Sequence, residues 1–200
     1  VSMTVGNLAA VVQKDFNRLM AYSSIAHAGY VLIGILCMDA AGYAATIFYA
    51  LSLMLMKFTC FLVLVMVAGN GGSLQIDQLA GLHRRSPLLA MALMLALFGL
   101  AGIPPTIGFT GKLLVFIAAM QQGYFTLVLI AMINVVISLY YYMLVIKAAY
   151  LLEPPNDLPA LSVSPPVKLL TGTLVTAMVV IGVFPTYVIA LARAAARFII

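Results

Sequence analysis

From Pro87 to Gln122 the chain carries a single charged side chain, Lys112, and two adjacent prolines, Pro104 and Pro105, interrupt the run. A helical bilayer crossing takes about 20 apolar residues. The run therefore holds either a tight hairpin of two short spans, 87–103 and 106–122, or one span plus half-helices. The proline pair removes two backbone donors and breaks the helix beside it. A lysine near a bilayer centre costs at least about 2.5–3.5 kcal/mol on insertion scales, so its presence there calls for a role. A lone lysine next to a helix break is the signature of an ion or proton pathway.

The rest of the composition agrees. The chain is 65% hydrophobic and 8% charged, with a mean hydropathy of +1.18, whereas a soluble domain carries roughly 25% charged residues. The fold class this implies is all-α: a polytopic transmembrane helix bundle, one domain over 1–200, with the lipid bilayer as its first partner. The formal net charge is +5, but the ten basic residues are spread along the chain. They read as membrane-facing loop charges, with no stripe for nucleic acid. Cys37 and Cys60 are isolated in apolar segments and read as small buried hydrophobes. Metal binding is not expected.

Six spans follow from the apolar lengths: about 20–38, 43–68, 87–103, 106–122, 124–149 and 166–190. Residues 1–12 look like the last turns of a further membrane helix, so the sequence reads as the C-terminal piece of something larger. QKDFNR, 13–18, is a polar interfacial loop. The longest loops, 69–86 and 150–165, are rich in turn residues. The apolar segments are long and do not alternate, which excludes barrel strands. Long helices with one Gly/Pro-interrupted segment suit half of an inverted-repeat transporter. Six complete crossings would put Lys14, Arg18, Arg84, Arg85, Arg193 and Arg197 on one face. Lys147, Lys168, Asp39, Glu153 and Asp157 would fall on the other. The positive-inside rule then places the first group in the cytoplasm.

Four ionisable groups within the spans bear on chemistry. Lys147 is close to a helix end and reads as snorkelling. Lys112, Lys57 and His27 are deep, and every carboxylate of the chain is in a loop. A deep lysine with no acidic partner can be neutral or protonated, which makes it a proton carrier and not merely a fixed charge. The competing reading of Lys112 is a cap on carbonyls freed by the break. Lys57 in YALSLMLMKFTCFLVLV is placed mid-span, about 20 Å from either end, beyond snorkelling reach. His27 follows Tyr22, Ser23 and Ser24, and is either a relay or a hydrogen-bonded structural histidine. Asn134 and Tyr140, Tyr141 and Tyr142 could line a hydrated path, bond neighbouring helices or form an aromatic belt. There is no CxxC pair, His ligand pair for haem, Walker loop or GxGxxG. Nothing holds a flavin, an iron–sulfur cluster, NADH or ATP, so the chain is not expected to carry electrons itself.

Two stretches carry a family resemblance. GNLAAVVQKDFNRLMAYSSIAHAGYVLIGIL, 6–36, resembles a loop and helix of the antiporter-like subunits of respiratory complex I. LAGLHRRSPLLAMALMLALFGLAGIPPTIGFTGKLLVFIAA, 79–119, is similar to their broken-helix region, and SLYYYMLVIKAAYL, 138–151, to the helix that follows. AYSSIAHAGY alone would fit the wider family, which includes cation/proton antiporter and membrane hydrogenase subunits. Those relatives often have glutamate where this chain has Lys112, so the lysine favours the subunit N branch of NADH-quinone oxidoreductase.

The resemblance implies a fourteen-helix translocase subunit in the cell inner (plasma) membrane, of which this would be about the last six helices. It implies proton pumping driven from elsewhere, with NADH, FMN, iron–sulfur clusters and quinone in other subunits and the other membrane subunits as partners. The family's essential lysine falls on Lys112. Asn17 stands where a basic residue is usual, and Lys57 where many relatives have asparagine. The chain ends would face away from the cytoplasm, against the charge count above. A sodium/proton antiporter or hydrogenase-linked subunit is the alternative, and a structural membrane subunit without a transport role is another.

Overall fold

The computed structural model describes residues 1–69, 72–154 and 160–198. Among them lie nine α-helices: α1 (Ser2–Val11), α2 (Phe16–Leu36), α3 (Ala40–Ala68), α4 (Leu82–Arg85), α5 (Pro87–Ala101), α6 (Ile107–Gln121), α7 (Phe125–Leu151), α8 (Pro165–Val183) and α9 (Thr186–Ala196). Asp157 lies outside the described residues.

The helix starts follow local chemistry. Asp15 caps α2 by accepting from the Arg18 N–H (2.9 Å), and Asp39 caps α3 by accepting from the Gly42 N–H (2.7 Å). Each satisfies a donor that the helix leaves unpaired. α5 and α8 open on prolines that follow serines, a position where the missing N–H is harmless. α5 closes on Gly102 at φ +85°, a left-handed turn open to glycine without a Cβ penalty. There the Gly102 N–H donates to the Phe98 carbonyl (2.9 Å) and the Ile103 N–H to the same carbonyl (3.0 Å).

The interruption expected around the prolines is present, since α5 ends at Ala101 and α6 begins at Ile107; the Pro104–Pro105 bond is cis. Two side-chain bonds decide how these helices lie. Gln122, just past α6, donates to Asp39 Oδ2 at the α2–α3 turn (2.8 Å). Arg84, just before α5, pairs with Glu153, just past α7 (3.3 Å). α5 thus begins on one face of the bundle and α6 ends on the other. The expected third and fourth spans are two half-length helices of one crossing.

This corrects the sidedness. Treating 87–103 and 106–122 as two full crossings inverts every later segment. Lys147 and Glu153 share the face of Arg84 and Arg85. Lys168 joins them, because the Leu161 N–H donates to the Arg85 carbonyl (3.1 Å) just before α8. Arg193 lies on the opposite face, lining a cavity with Ala41 and Gln121, and Arg197 follows one turn later. The face of Lys14, Arg18, Arg84, Arg85, Lys147 and Lys168 is called here the basic face, the one for which the positive-inside rule predicts the cytoplasm. The end of α9 lies on the opposite face, so the corrected charge count and the family resemblance now give the same expectation.

The sixth expected span, 166–190, also differs. α8 stops at Val183, and α9 starts after Pro185. Proline lacks the N–H to continue the ladder and restricts the residue before it. A Cβ added at Gly182 would meet the Pro105 carbonyl oxygen (2.5 Å) and the Ile107 nitrogen (2.7 Å). The α8–α9 break therefore sits at the depth of the α5–α6 break and packs on it. α5 is the most enclosed element, packed against α3, α6, α7 and α8, with Leu89, Leu93, Ala96, Leu97 and Leu100 buried. α3 and α7 bare Met54, Phe58, Ile133 and Val136, apolar surface that suits acyl chains.

Gly99 and Gly108 bring the half-helices into contact, and a Cβ on Gly108 would collide with the Gly99 carbonyl. Gly108→Val should drive the halves apart, an overpacking of about 3 kcal/mol or more. The expected outcome is loss of monodisperse protein on size-exclusion of detergent extracts; an unchanged elution profile and yield would contradict this packing.

Candidate functional site

The break places Lys112 within reach of the end of α5. Its side chain runs back from the second turn of α6, and the residue is 3% exposed. Nζ donates to the Leu100 carbonyl (2.7 Å) and the Ala101 carbonyl (3.1 Å). These are among the last carbonyls of α5, which have no helical partner and carry the negative end of the helix dipole. The Tyr30 ring lies 5.2 Å from the ammonium, close enough for a cation–π contact. Gly102 leaves room for the lysine stem, since a Cβ there would lie 3.1 Å from Lys112 Cδ. The capping geometry weighed from the sequence is therefore present.

His27 is 2% exposed and bonded at both ring nitrogens. Nδ1 meets the Tyr49 hydroxyl (2.7 Å) and Nε2 the Tyr142 hydroxyl (3.0 Å). It also lies within electrostatic reach of both Lys112 and Lys57. Its ring centroid is 5.9 Å from that of Tyr30, the ring beside Lys112. His27 and Lys112 thus flank one aromatic residue.

Lys57 is partly buried and is not mid-depth. Eleven residues separate it from the end of α3 at Ala68, about 16 Å of helix. Its amine turns toward the basic face, donating to the Met20 carbonyl (2.9 Å) and to Ser23 Oγ. Met20 is only one turn inside α2. The 20 Å expectation overstated the distance, since the expected span 43–68 already puts Lys57 about 16 Å from its nearer end. A lysine stem reaches several ångströms along the helix, and this one uses that reach. Lys147 is exposed at the basic face, as its snorkelling reading requires.

The tyrosine run is not a belt. α7 continues to Leu151, so Tyr141 and Tyr142 are interior and fully enclosed, while Tyr140 is exposed. Tyr141 donates to Asn7 Oδ1 (2.9 Å), and Asn7 donates to the side chain and carbonyl of Asn134 (3.1 and 3.2 Å). This polar triad fastens α1 to α7. Tyr30, Tyr49 and Asn7 were not singled out from the sequence. The one available signal was their polar character inside apolar segments. Asn17 Oδ1 is buried without a hydrogen-bond partner, at the position where the family resemblance expects a basic residue.

Among the described residues no three His, Cys, Asp or Glu side chains gather into a metal-holding group. The described carboxylates cap helices or sit at the faces. The interior holds the Lys112 amine, the His27 imidazole and several hydroxyls, with the Lys57 amine turned toward the basic face. Such a set can take up, hold and release protons.

Comparison with known proteins fits this picture. Residues 1–138 match the family model described as NADH:quinone oxidoreductase/Mrp antiporter, TM. NADH-quinone oxidoreductase subunit N 2 of Syntrophobacter fumaroxidans is 70% identical, over 98% of this chain and 42% of its own length. Subunit N of Coxiella burnetii is 39% identical, over 98% of this chain and 41% of its own. A chain of respiratory complex I from Thermus thermophilus superposes with a TM-score of 0.85 at 33% identity, covering 94% of this chain and 43% of that one. A chain of the Mrp complex from a Dietzia species gives a TM-score of 0.87 at 23% identity, covering 98% of this chain and 45% of that one; this likeness concerns the fold alone. The chain spans about two fifths of the length of the curated relatives it matches.

Asn7→Leu should remove the Asn7 partner of the Tyr141 hydroxyl and of Asn134 Oδ1. A buried group left unsatisfied costs about 1–3 kcal/mol. The thermal aggregation midpoint of the purified protein should fall; an unchanged midpoint would mean that the triad does not hold α1 to α7.

Proposed function

The chain belongs to the NADH:quinone oxidoreductase/Mrp antiporter transmembrane family, and from that premise we propose that it is part of a proton-translocating membrane subunit of NADH:quinone oxidoreductase. It works as a multi-pass protein in the cell inner membrane, packed among the other membrane subunits of complex I. NADH, FMN, iron–sulfur clusters and quinone belong to other subunits, whose electron transfer supplies the energy. This chain supplies a proton path and no redox centre.

The observation that carries this reading is the Lys112 amine, buried at a helix break with backbone carbonyls as its hydrogen-bond partners. A fixed charge at that depth would call for a carboxylate beside it. An amine that alternates between charged and neutral forms does not. Lys112 accepts a proton from the polar interior and passes it on. His27 extends the path between the helices, and Lys57, turned toward the basic face, receives protons from the cytoplasmic side.

A static cap is the second reading, favoured by the same two carbonyl bonds. The two readings part on Lys112→Ala in the full-length subunit. A carrier predicts an assembled complex in which NADH-driven proton uptake into vesicles and quinone reduction both fall several-fold. Lys112→Arg should not restore them fully, because arginine does not release its proton. A cap predicts poor assembly on native gels and normal pumping by whatever complex does assemble. Full pumping by an assembled Lys112→Ala complex refutes the assignment.

Lys57→Met should lower proton uptake by a smaller factor than Lys112→Ala, with assembly retained. An unchanged ratio of protons to electrons in that variant would return Lys57 to a structural role.

A further inference from the structure

Between Lys57 and Lys112 the interior holds buried side-chain hydroxyls on either side of the His27 imidazole. Lys57 donates to Ser23 Oγ. Ser23 is a hydrogen-bond neighbour of the Tyr142 hydroxyl. The Tyr142 hydroxyl meets His27 Nε2 (3.0 Å), and His27 Nδ1 meets the Tyr49 hydroxyl (2.7 Å). Tyr49 comes from α3 and Tyr142 from α7, so the imidazole of α2 is held between two other helices. The Tyr49 ring in turn lies against Gly111, the residue before Lys112: a Cβ on Gly111 would meet Tyr49 Cδ2 at 2.7 Å. Both tyrosines are fully enclosed.

Resting on the function proposed above, we infer that Tyr142 and Tyr49 are proton-transferring residues, the two hydroxyls through which His27 connects Lys57 to Lys112. A buried neutral imidazole has one N–H donor and one acceptor nitrogen. Here the partner at each is an exchangeable O–H and not a backbone group, an arrangement that lets a proton enter one side of the ring and leave the other.

The transfer balances as follows. His27 starts with its proton on Nδ1, donating to the Tyr49 oxygen, and Tyr142 donates to Nε2. The Ser23 hydroxyl, which also reaches the Met20 carbonyl (2.9 Å), rotates toward Tyr142. The Lys57 ammonium gives a proton to Ser23 Oγ as Ser23 gives its own to the Tyr142 oxygen. Tyr142 passes its proton to Nε2, and Nδ1 passes its proton to the Tyr49 oxygen. Tyr49 releases its original proton through a bridging water to the neutral Lys112 amine. One proton leaves Lys57, one arrives at Lys112, and each group between keeps its count. Rotation of the hydroxyls and return of the imidazole to its first tautomer reset the chain.

The test uses the full-length subunit in the assembled complex. Tyr142→Phe and Tyr49→Phe keep the ring and delete the hydroxyl. Each should lower NADH-driven proton uptake several-fold. Because the groups act in series, the double variant should pump no worse than the poorer single one. Thr171→Val is the control, an equally buried hydroxyl of α8 bonded to the Val167 carbonyl (2.7 Å) and outside the chain; it should leave pumping unchanged. Equal losses at Thr171 and Tyr142, or losses that multiply in the double variant, indicate packing and overturn the inference. Normal pumping by either assembled phenylalanine variant does so as well. If a phenylalanine variant does not assemble, 3,5-difluorotyrosine at that position keeps shape and hydroxyl while strengthening the acid. It must change the pumping rate, and an unchanged rate overturns the inference. Lys112→Ala is measured in parallel. Loss there with normal tyrosine variants removes the tyrosines and leaves the proposed function standing, whereas normal pumping by Lys112→Ala removes the proposed function itself.

Discussion

A backbone carbonyl inside a bilayer must find a donor, and the α5–α6 break exposes several at once. Irregular backbone at that depth survives only where protein or water covers it. Three devices share the task here. The turn at Gly102 folds its own N–H and that of Ile103 back onto the Phe98 carbonyl. The Thr106 hydroxyl covers the Ile103 carbonyl (2.6 Å) while accepting from the Phe109 N–H. The Lys112 amine covers Leu100 and Ala101. The shape of the bundle follows from protecting this point: α5 is enclosed by α3, α4, α6, α7 and α8, and α8 brings a side-chain-free residue, Gly182, against Pro105 and Ile107.

Much of this was legible in the sequence because a bilayer leaves few choices. Apolar length located the helices, and Pro104-Pro105 located the break. Lys112 stood out because charge at depth is rare. The side on which each loop lies was not legible, for a physical reason. Half-helices and full short spans have the same composition, and only tertiary bonds such as Gln122–Asp39 tell them apart. Pro185 was a visible signal for the α8–α9 break, but the apolar residues around it matched a continuous span.

The partners of His27 were legible only in part, for a different reason: Tyr142 stood among the residues that could line a hydrated path, whereas Tyr49 did not. Tyr49 and Tyr142 lie far apart in sequence and become neighbours of His27 only when α2, α3 and α7 pack. An aromatic residue in an apolar helix looks the same whether its hydroxyl meets a headgroup, a carbonyl or an imidazole. Lys57 teaches a related point. Its Cα gives its depth in the helix, but its amine works one turn from the start of α2, on the side where the basic loops gather.

The two carbonyls on Lys112 have a consequence for how capping and carrying coexist. An ammonium has three N–H bonds and a neutral amine has two. Leu100 and Ala101 occupy two of them. When the third proton departs, both carbonyls keep their donors and the helix end remains satisfied. The vacated position holds a lone pair, ready to accept. The break need not move for the charge to change, so the same contacts that make Lys112 look like a fixture leave one of its positions free for exchange.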